Sequence, residues 1–210
     1  MQRERFVIAT NNAGKLCELQ ELLSEFGISS ISMTAAGISL NPEESGATFE
    51  ENAYIKAKSV CLATGMPAIA DDSGLVVDAL SGAPGVHSAR YGGEELTDAQ
   101  RYMYLLRQME TVPEEERGAK FVSVLCCVFP NGNHILARGE CFGHILFEPD
   151  GTGGFGYDPV FAEATTGRSF GRLTPAEKGK ISHRGRALVV LREKLAQYFA
   201  HLERIAEESL

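Results

Sequence analysis

The start of this 210-residue sequence lacks a long apolar run: after Met1, Gln2, Arg3, Glu4 and Arg5 comes only Phe6 to Ala9. That is far shorter than the apolar part of a signal peptide or a membrane span. A cytoplasmic location with no membrane partner is the expectation. No C-x-x-C pair occurs, and Cys17, Cys61, Cys126, Cys127 and Cys141 make an odd count, so neither a zinc site nor a disulfide framework is supported. Buried thiols are expected instead. Basic residues are also short, with a formal net charge of -8, which argues against sequence-independent nucleic-acid binding. An anionic ligand would need locally concentrated positive charge. Internal repeats and low-complexity linkers are missing too. With 44% hydrophobic residues and 22 glycines, the chain fits one globular domain over residues 1–210, large enough to hold its own core.

What is present begins with Asp71 and Asp72, followed by Ser73 and Gly74, at the end of an apolar run from Met66 to Ala70. Adjacent carboxylates where a buried strand meets a loop repel each other unless cations or donors stabilise them, which suggests a metal or a reacting group. Side chains alternate along an extended chain, so one of the pair faces a given cleft and the other supports the loop. Asp72 is the candidate for chemistry, with Ser73 beside it as a hydroxyl donor. Asp-Ser-Gly is also ordinary turn composition, and a plain hydrogen-bonded turn competes with this reading.

Phe6 to Ala9 reads as a strand, and Leu16, Leu19, Leu22, Leu23 and Phe26 recur at helical spacing before Gly27. The turn between them, Thr10, Asn11, Asn12, Ala13, Gly14 and Lys15, could cradle a phosphate with backbone N–H groups, the helix dipole and the lysine. It is not a Walker A loop, because Ala9 and Leu16 stand where that motif needs Gly and Ser or Thr. Asn12 as a simple helix cap is the competing reading.

Thr48 and Glu51 predict a capping box for a helix whose stripe is Phe49, Ala53, Ala57, Val60 and Cys61, ending at Gly65 and Pro67. Lys56 beside that stripe either snorkels to solvent or reaches a neighbouring cleft. Upstream, the loop Pro42, Glu43, Glu44, Ser45, Gly46 either brings a second carboxylate to a metal or is merely solvated. Leu75 to Leu80 reads as a further strand, followed by a loop over Ser81 to Gly93 that carries His87, Ser88, Arg90 and Tyr91. Thr97 and Gln100 cap a helix to about Met109, and Glu110 to Gly118 reads as the most exposed loop. Phe121 to Phe129 and Ile135 to Ala137, joined through Asn131 and Gly132, read as a hairpin. The glycine-rich run Gly151 to Pro159 contains Phe155 and Tyr157 as possible stacking faces, or is a plain connection.

Thr174, Pro175 and Glu177 start a helix conventionally. The last helix does not: after Ser182 as cap, His183, Arg184 and Arg186 put basic groups at the positive end of the dipole. Such a local violation points to recognition.

Taken in order, these segments resemble the inosine triphosphate pyrophosphatase family. Thr10, Asn12 and Lys15 match its T-x-N-x-x-K pattern, Asp71 to Gly74 its acidic strand end, Phe155 to Asp158 its F-G-Y-D segment, and Ser182 to Arg184 its S-H-R segment. The likeness runs from Phe6 to the final helix. It implies an α/β fold with an elongated central mixed sheet flanked by helices, in two lobes around a nucleotide cleft, and commonly a homodimer. It also implies magnesium-dependent hydrolysis of ITP, dITP and XTP between the α and β phosphates, giving a nucleoside monophosphate and pyrophosphate. Asp72 would be catalytic and, with Glu43, a metal ligand. Lys15, Lys56 and Ser73 would contact phosphates, with Lys56 catalytic; Phe155, Gly156, Tyr157, Asp158, Lys178, His183 and Arg184 would form the base site. Arg172 and Gly179 depart from the family's usual acid and polar residue.

Magnesium suits these oxygen donors. An ionised Asp72 beside cations is a weak proton acceptor, so orienting a water would matter more than basicity. Arg184 and a suitably protonated His183 would donate to a 6-oxo group, where adenine presents a donor. Two other readings stand beside this one. A pyrophosphatase for modified pyrimidine nucleotides is disfavoured by the F-G-Y-D and S-H-R segments, and a non-catalytic nucleotide sensor by intact Asp72, Lys15 and Lys56.

Overall fold

The computed structural model describes residues 5–25 and 27–208; Met1 to Glu4 and Phe26, named above, lie outside the described residues. A six-stranded mixed sheet runs in the order β2-β1-β3-β4-β5-β6, built from β1 (Phe6–Ile8), β2 (Ser30–Ser32), β3 (Ala68–Val77), β4 (Gly118–Val128), β5 (His134–Ile145) and β6 (Phe161–Glu163). β1 pairs in parallel with β2 and β3, and the remaining neighbours are antiparallel. Five helices accompany it among the described residues: α1 (Ala13–Glu25), α2 (Phe49–Thr64), α3 (Asp98–Gln108), α4 (Pro175–Ile181) and α5 (His183–Glu208). None is long and apolar enough to cross a membrane.

The expected caps form. Thr48 with Glu51, Thr97 with Gln100 and Thr174 with Glu177 make reciprocal capping boxes, and Ser182 Oγ accepts from the Gly185 N–H at 3.1 Å. α2 stops at Gly65, whose φ of 64° is left-handed and cheap only for glycine.

Strand alternation divides the core. Ile8, Ile69 and Leu125 face α1 and α5, packing with Leu19, Leu23, Leu188 and Leu191. Val7, Ala68, Ala70, Val122 and Val124 face α2, packing with Phe49, Ala53, Ala57 and Val60. A third cluster joins α3 to the far ends of β3, β4 and β5 through Leu105, Leu106, Phe121 and Phe161. α5 lies hard against β5, where a Cβ on Gly139 would come within 2.2 Å of the His183 carbonyl oxygen and 2.3 Å of the Ala187 nitrogen.

Four expectations require correction. Asp71 and Asp72 do not end a strand: β3 continues through them to Val77, because their buried charges are paired and the β4 ladder continues opposite, Asp71 to Leu125 and Asp72 to Val124. The strand expected over Leu75 to Leu80 therefore stops at Val77, and Asp78–Leu80 forms a 3-10 turn. Arg117, placed in the exposed loop, is buried because it donates to the carbonyls of Met109, Val112, Ile145 and Leu146. Cys17 is exposed on α1, whereas the other four cysteines are buried.

Candidate active site

Strand alternation sends the adjacent aspartates to opposite faces of β3. Asp72 points toward α2, whose Lys56 places Nζ 2.6 Å from Asp72 Oδ1 and 3.1 Å from a Glu44 carboxylate oxygen. Lys56 therefore does not snorkel to solvent. Two acids against one ammonium leave this corner with surplus negative charge, and proton affinities rise accordingly. Burial lifts the pKa of Asp72 above the ordinary 3.8, with Lys56 only partly offsetting it. For Lys56, burial pulls down, but Asp72 and Glu44 outweigh it and the ammonium is held above 10.5. Asp72 Oδ2 is buried with no hydrogen-bond partner among the described residues. Glu43 is exposed and lines neither cavity, whereas Glu44 lines one and pairs with Lys56. Two successive glutamates in a loop offer no periodicity to choose between them; the reach of Lys56 does.

Asp71 points the other way, toward α1 and α5. Its Oδ2 takes Ser73 Oγ at 2.9 Å, Lys15 Nζ at 3.0 Å and Arg184 Nη2 at 3.1 Å, and its Oδ1 takes Ser123 Oγ at 2.6 Å. Burial alone would raise its pKa, but Arg184, Lys15 and Ser123 together hold the carboxylate well below 3.8. Ser73 Oγ also accepts from Arg184 Nη2 at 3.1 Å, so its proton and one lone pair are committed inside the protein. Arg184 continues the chain of charge to Glu18, which lies 3.6 Å from Lys178 Nζ; Lys178 in turn lies 2.9 Å from Asp158. Burial raises the Asp158 pKa, and Lys178 only partly offsets it.

The glycine-rich segment covers this network. The Phe155 N–H donates to Asp158 Oδ2 at 2.8 Å, and the Phe155 ring lies 4.6 Å from Lys178 Nζ and 5.7 Å from the Arg184 Cζ. Gly14 leaves room for it, since a Cβ there would stand 3.1 Å from the ring. Tyr157 is largely buried, with its hydroxyl donating to the Ser88 carbonyl at 2.9 Å, and lines the same cavity as Phe155. The Gly156 N–H donates to Asp98 at 2.7 Å. His183 stacks on Phe121 with centroids 4.7 Å apart and 12° between planes. Burial, followed by the Arg184 and Lys178 charges, holds the His183 pKa well below 6.5 and favours the neutral imidazole.

Two cavities result. One of about 150 Å³ is lined by Ser73, Phe155, Asp158, Lys178, His183 and Arg184; another of about 160 Å³ by Thr10, Asn11, Glu44 and Lys56. Asn12 and Lys15 line both. Of the turn residues, Asn12 caps α1 by accepting from the Lys15 N–H at 2.9 Å, and Asn11 donates to the Leu40 carbonyl at 2.8 Å. Ala13 is exposed and lines neither cavity.

Sequence reasoning missed Glu18, Asp98 and Ser123, and named Glu44 only as part of the acidic loop. Glu18 carried a weak signal, three residues after Lys15 and so on the same helix face. Ser123 is a lone hydroxyl within an apolar strand; Asp98 carried no local mark.

The sequence pattern of the Ham1 family matches residues 6–194. A dITP/XTP pyrophosphatase of Haemophilus influenzae is 50% identical over 197 residues, covering 92% of this chain and 100% of the relative. Another dITP/XTP pyrophosphatase, from Shigella flexneri, is 47% identical over 194 residues, covering 91% and 98%. Among solved structures, a HAM1 protein from Coxiella burnetii superposes with a TM-score of 0.82 at 42% identity, over 92% of this chain and 99% of that one.

Proposed function

Because the chain belongs to the Ham1 family, we propose that it is a pyrophosphatase for dITP, XTP and ITP, releasing the nucleoside monophosphate and pyrophosphate. The observation that carries this reading is a pair of cavities that share Asn12 and Lys15, one lined by Glu44 and Lys56 next to the Asp72 carboxylate and the other aromatic and cation-lined. The first suits phosphates with a divalent cation, the second a flat polar base.

Magnesium fits the donors present. It is commonly held by one or two carboxylates, with substrate phosphates and waters completing the shell; Asp72, with its unpartnered buried Oδ2, and Glu44 would hold it. When bound, it would neutralise charge on the phosphate oxygens and polarise the phosphorus. Lys56 keeps both carboxylates oriented and lends positive charge to the departing pyrophosphate. Lys15, between the compartments, would meet the phosphates from the other side. Asp72 would serve to orient a water and not act as a strong base.

At the base, Phe155 supplies a face. Arg184 has its terminal nitrogens on Glu18, Asp71 and Ser73, leaving Nε buried with no partner among the described residues. A 6-oxo purine offers that donor an acceptor, and adenine offers an amino group. An unpaired buried donor costs about 1 to 3 kcal/mol, enough for roughly tenfold discrimination or more. Neutral His183 donates or accepts at Nδ1 according to tautomer, so Arg184 carries the choice.

Incubation of purified protein and magnesium with ITP, XTP, dITP, ATP and GTP, followed by product identification, tests this. Pyrophosphate from the oxo-purines with little turnover of ATP is expected. Inorganic phosphate as first product, or equal turnover of all purines, would sink the proposal.

A further inference from the structure

The Asp71 carboxylate joins the two compartments without lining either cavity. One oxygen, Oδ2, takes Ser73 Oγ at 2.9 Å and two cations, Lys15 at 3.0 Å and Arg184 Nη2 at 3.1 Å, while Ser123 Oγ pins the other at 2.6 Å. With both cations in place Asp71 has no exposed side-chain surface. We infer that Asp71 is a positioning residue that makes base selection depend on phosphate occupancy, by letting Lys15 and Arg184 compete for a single oxygen.

The physical chain is short. In the empty cleft Lys15 draws on Oδ2 and weakens its hold on Arg184. A triphosphate that attracts Lys15 removes one cation, and Arg184 is left as the only cation on the oxygen, beside the Ser73 hydroxyl. Its guanidinium is then clamped between Asp71 and Glu18, and the Nε direction is fixed. A fixed donor discriminates between acceptor and donor on the base more sharply than one that can turn away. Reciprocity follows from linkage: a base that immobilises Arg184 should favour release of Lys15 to phosphate. A nucleoside monophosphate, lacking the outer phosphates, would leave Lys15 on Asp71 and be read less strictly.

This rests on the pyrophosphatase reading, and binding measurements separate the two. Calorimetry on the full chain would use hypoxanthine and adenine nucleotides, each as the monophosphate and as the non-hydrolysable α,β-imido triphosphate. In the wild type the preference for hypoxanthine should be about tenfold larger for the triphosphate pair than for the monophosphate pair, within the usual range of coupling. Asp71→Asn should bring the two preferences together. Ser123→Ala keeps the carboxylate and frees only its anchor, so it should shrink the difference without abolishing it, and it serves if Asp71→Asn does not fold. Equal preferences in the wild type, or an undiminished difference in both variants, would overturn the inference. Failure of the wild type to bind either hypoxanthine ligand would instead overturn the pyrophosphatase reading, and this inference with it.

Discussion

Asp71 and Asp72 are covalent neighbours with opposite electrostatics. Asp71 is saturated, with two cations and two hydroxyls on its oxygens, and its charge is held well below 3.8. Asp72 has one cation, a nearby rival acid in Glu44 and a bare oxygen, and its pKa lies above 3.8. The backbone imposes this contrast, because the pleat sends one side chain to the α1 and α5 face and the next to α2. A saturated carboxylate is structural glue; an unsaturated one has capacity left for a cation or a water.

The strongest way to break the comparison is Asp72→Asn, which should lower kcat on the order of 10² to 10⁴ fold in a steady-state pyrophosphate-release assay. Near-normal turnover would deny Asp72 its role. Glu44→Gln should reduce activity by about 10 to 100 fold, with a higher magnesium requirement, while Glu43→Gln stays within about twofold. The reverse order would restore Glu43 as the ligand.

Stability separates the aspartates by sign. Asp71 has a depressed folded pKa, so its contribution is present above 3.8 and is lost as pH falls toward the folded value. Asp72 has a raised folded pKa, so its ionised form opposes folding at neutral pH, and that penalty relaxes as pH falls through the folded value. In urea unfolding at pH 7, Asp71→Asn should lower the midpoint and Asp72→Asn should raise it. Shifts of the same sign would remove the contrast. The smallest effect lies away from both: Thr48→Ala removes the α2 cap and should cost about 1 kcal/mol without changing base preference.

Local chemistry was well marked in the sequence. Capping boxes at Thr48, Thr97 and Thr174, the stop at Gly65 and the misplaced basic residues after Ser182 all act within a few residues, and the structure contains them. What could not be read required distant partners. Asp-Asp-Ser-Gly resembles a turn until Lys15, Ser123 and Arg184, from three separate elements, supply the donors that let it remain a buried strand. The same limit hid Glu18 behind the conspicuous Lys15. Arg172, one of the two departures from the family pattern, pairs with Asp150 at the edge of the glycine-rich segment, away from Asp72 and Arg184.

Gly139 touches no cavity, yet it governs how closely the α5 backbone can approach β5. His183 and Arg184 ride on that backbone, so the atom missing from residue 139 acts as a length standard for the base site. Even one methyl group would move both side chains as a unit. The position of His183 and Arg184 is thus partly written in a residue that has no side chain.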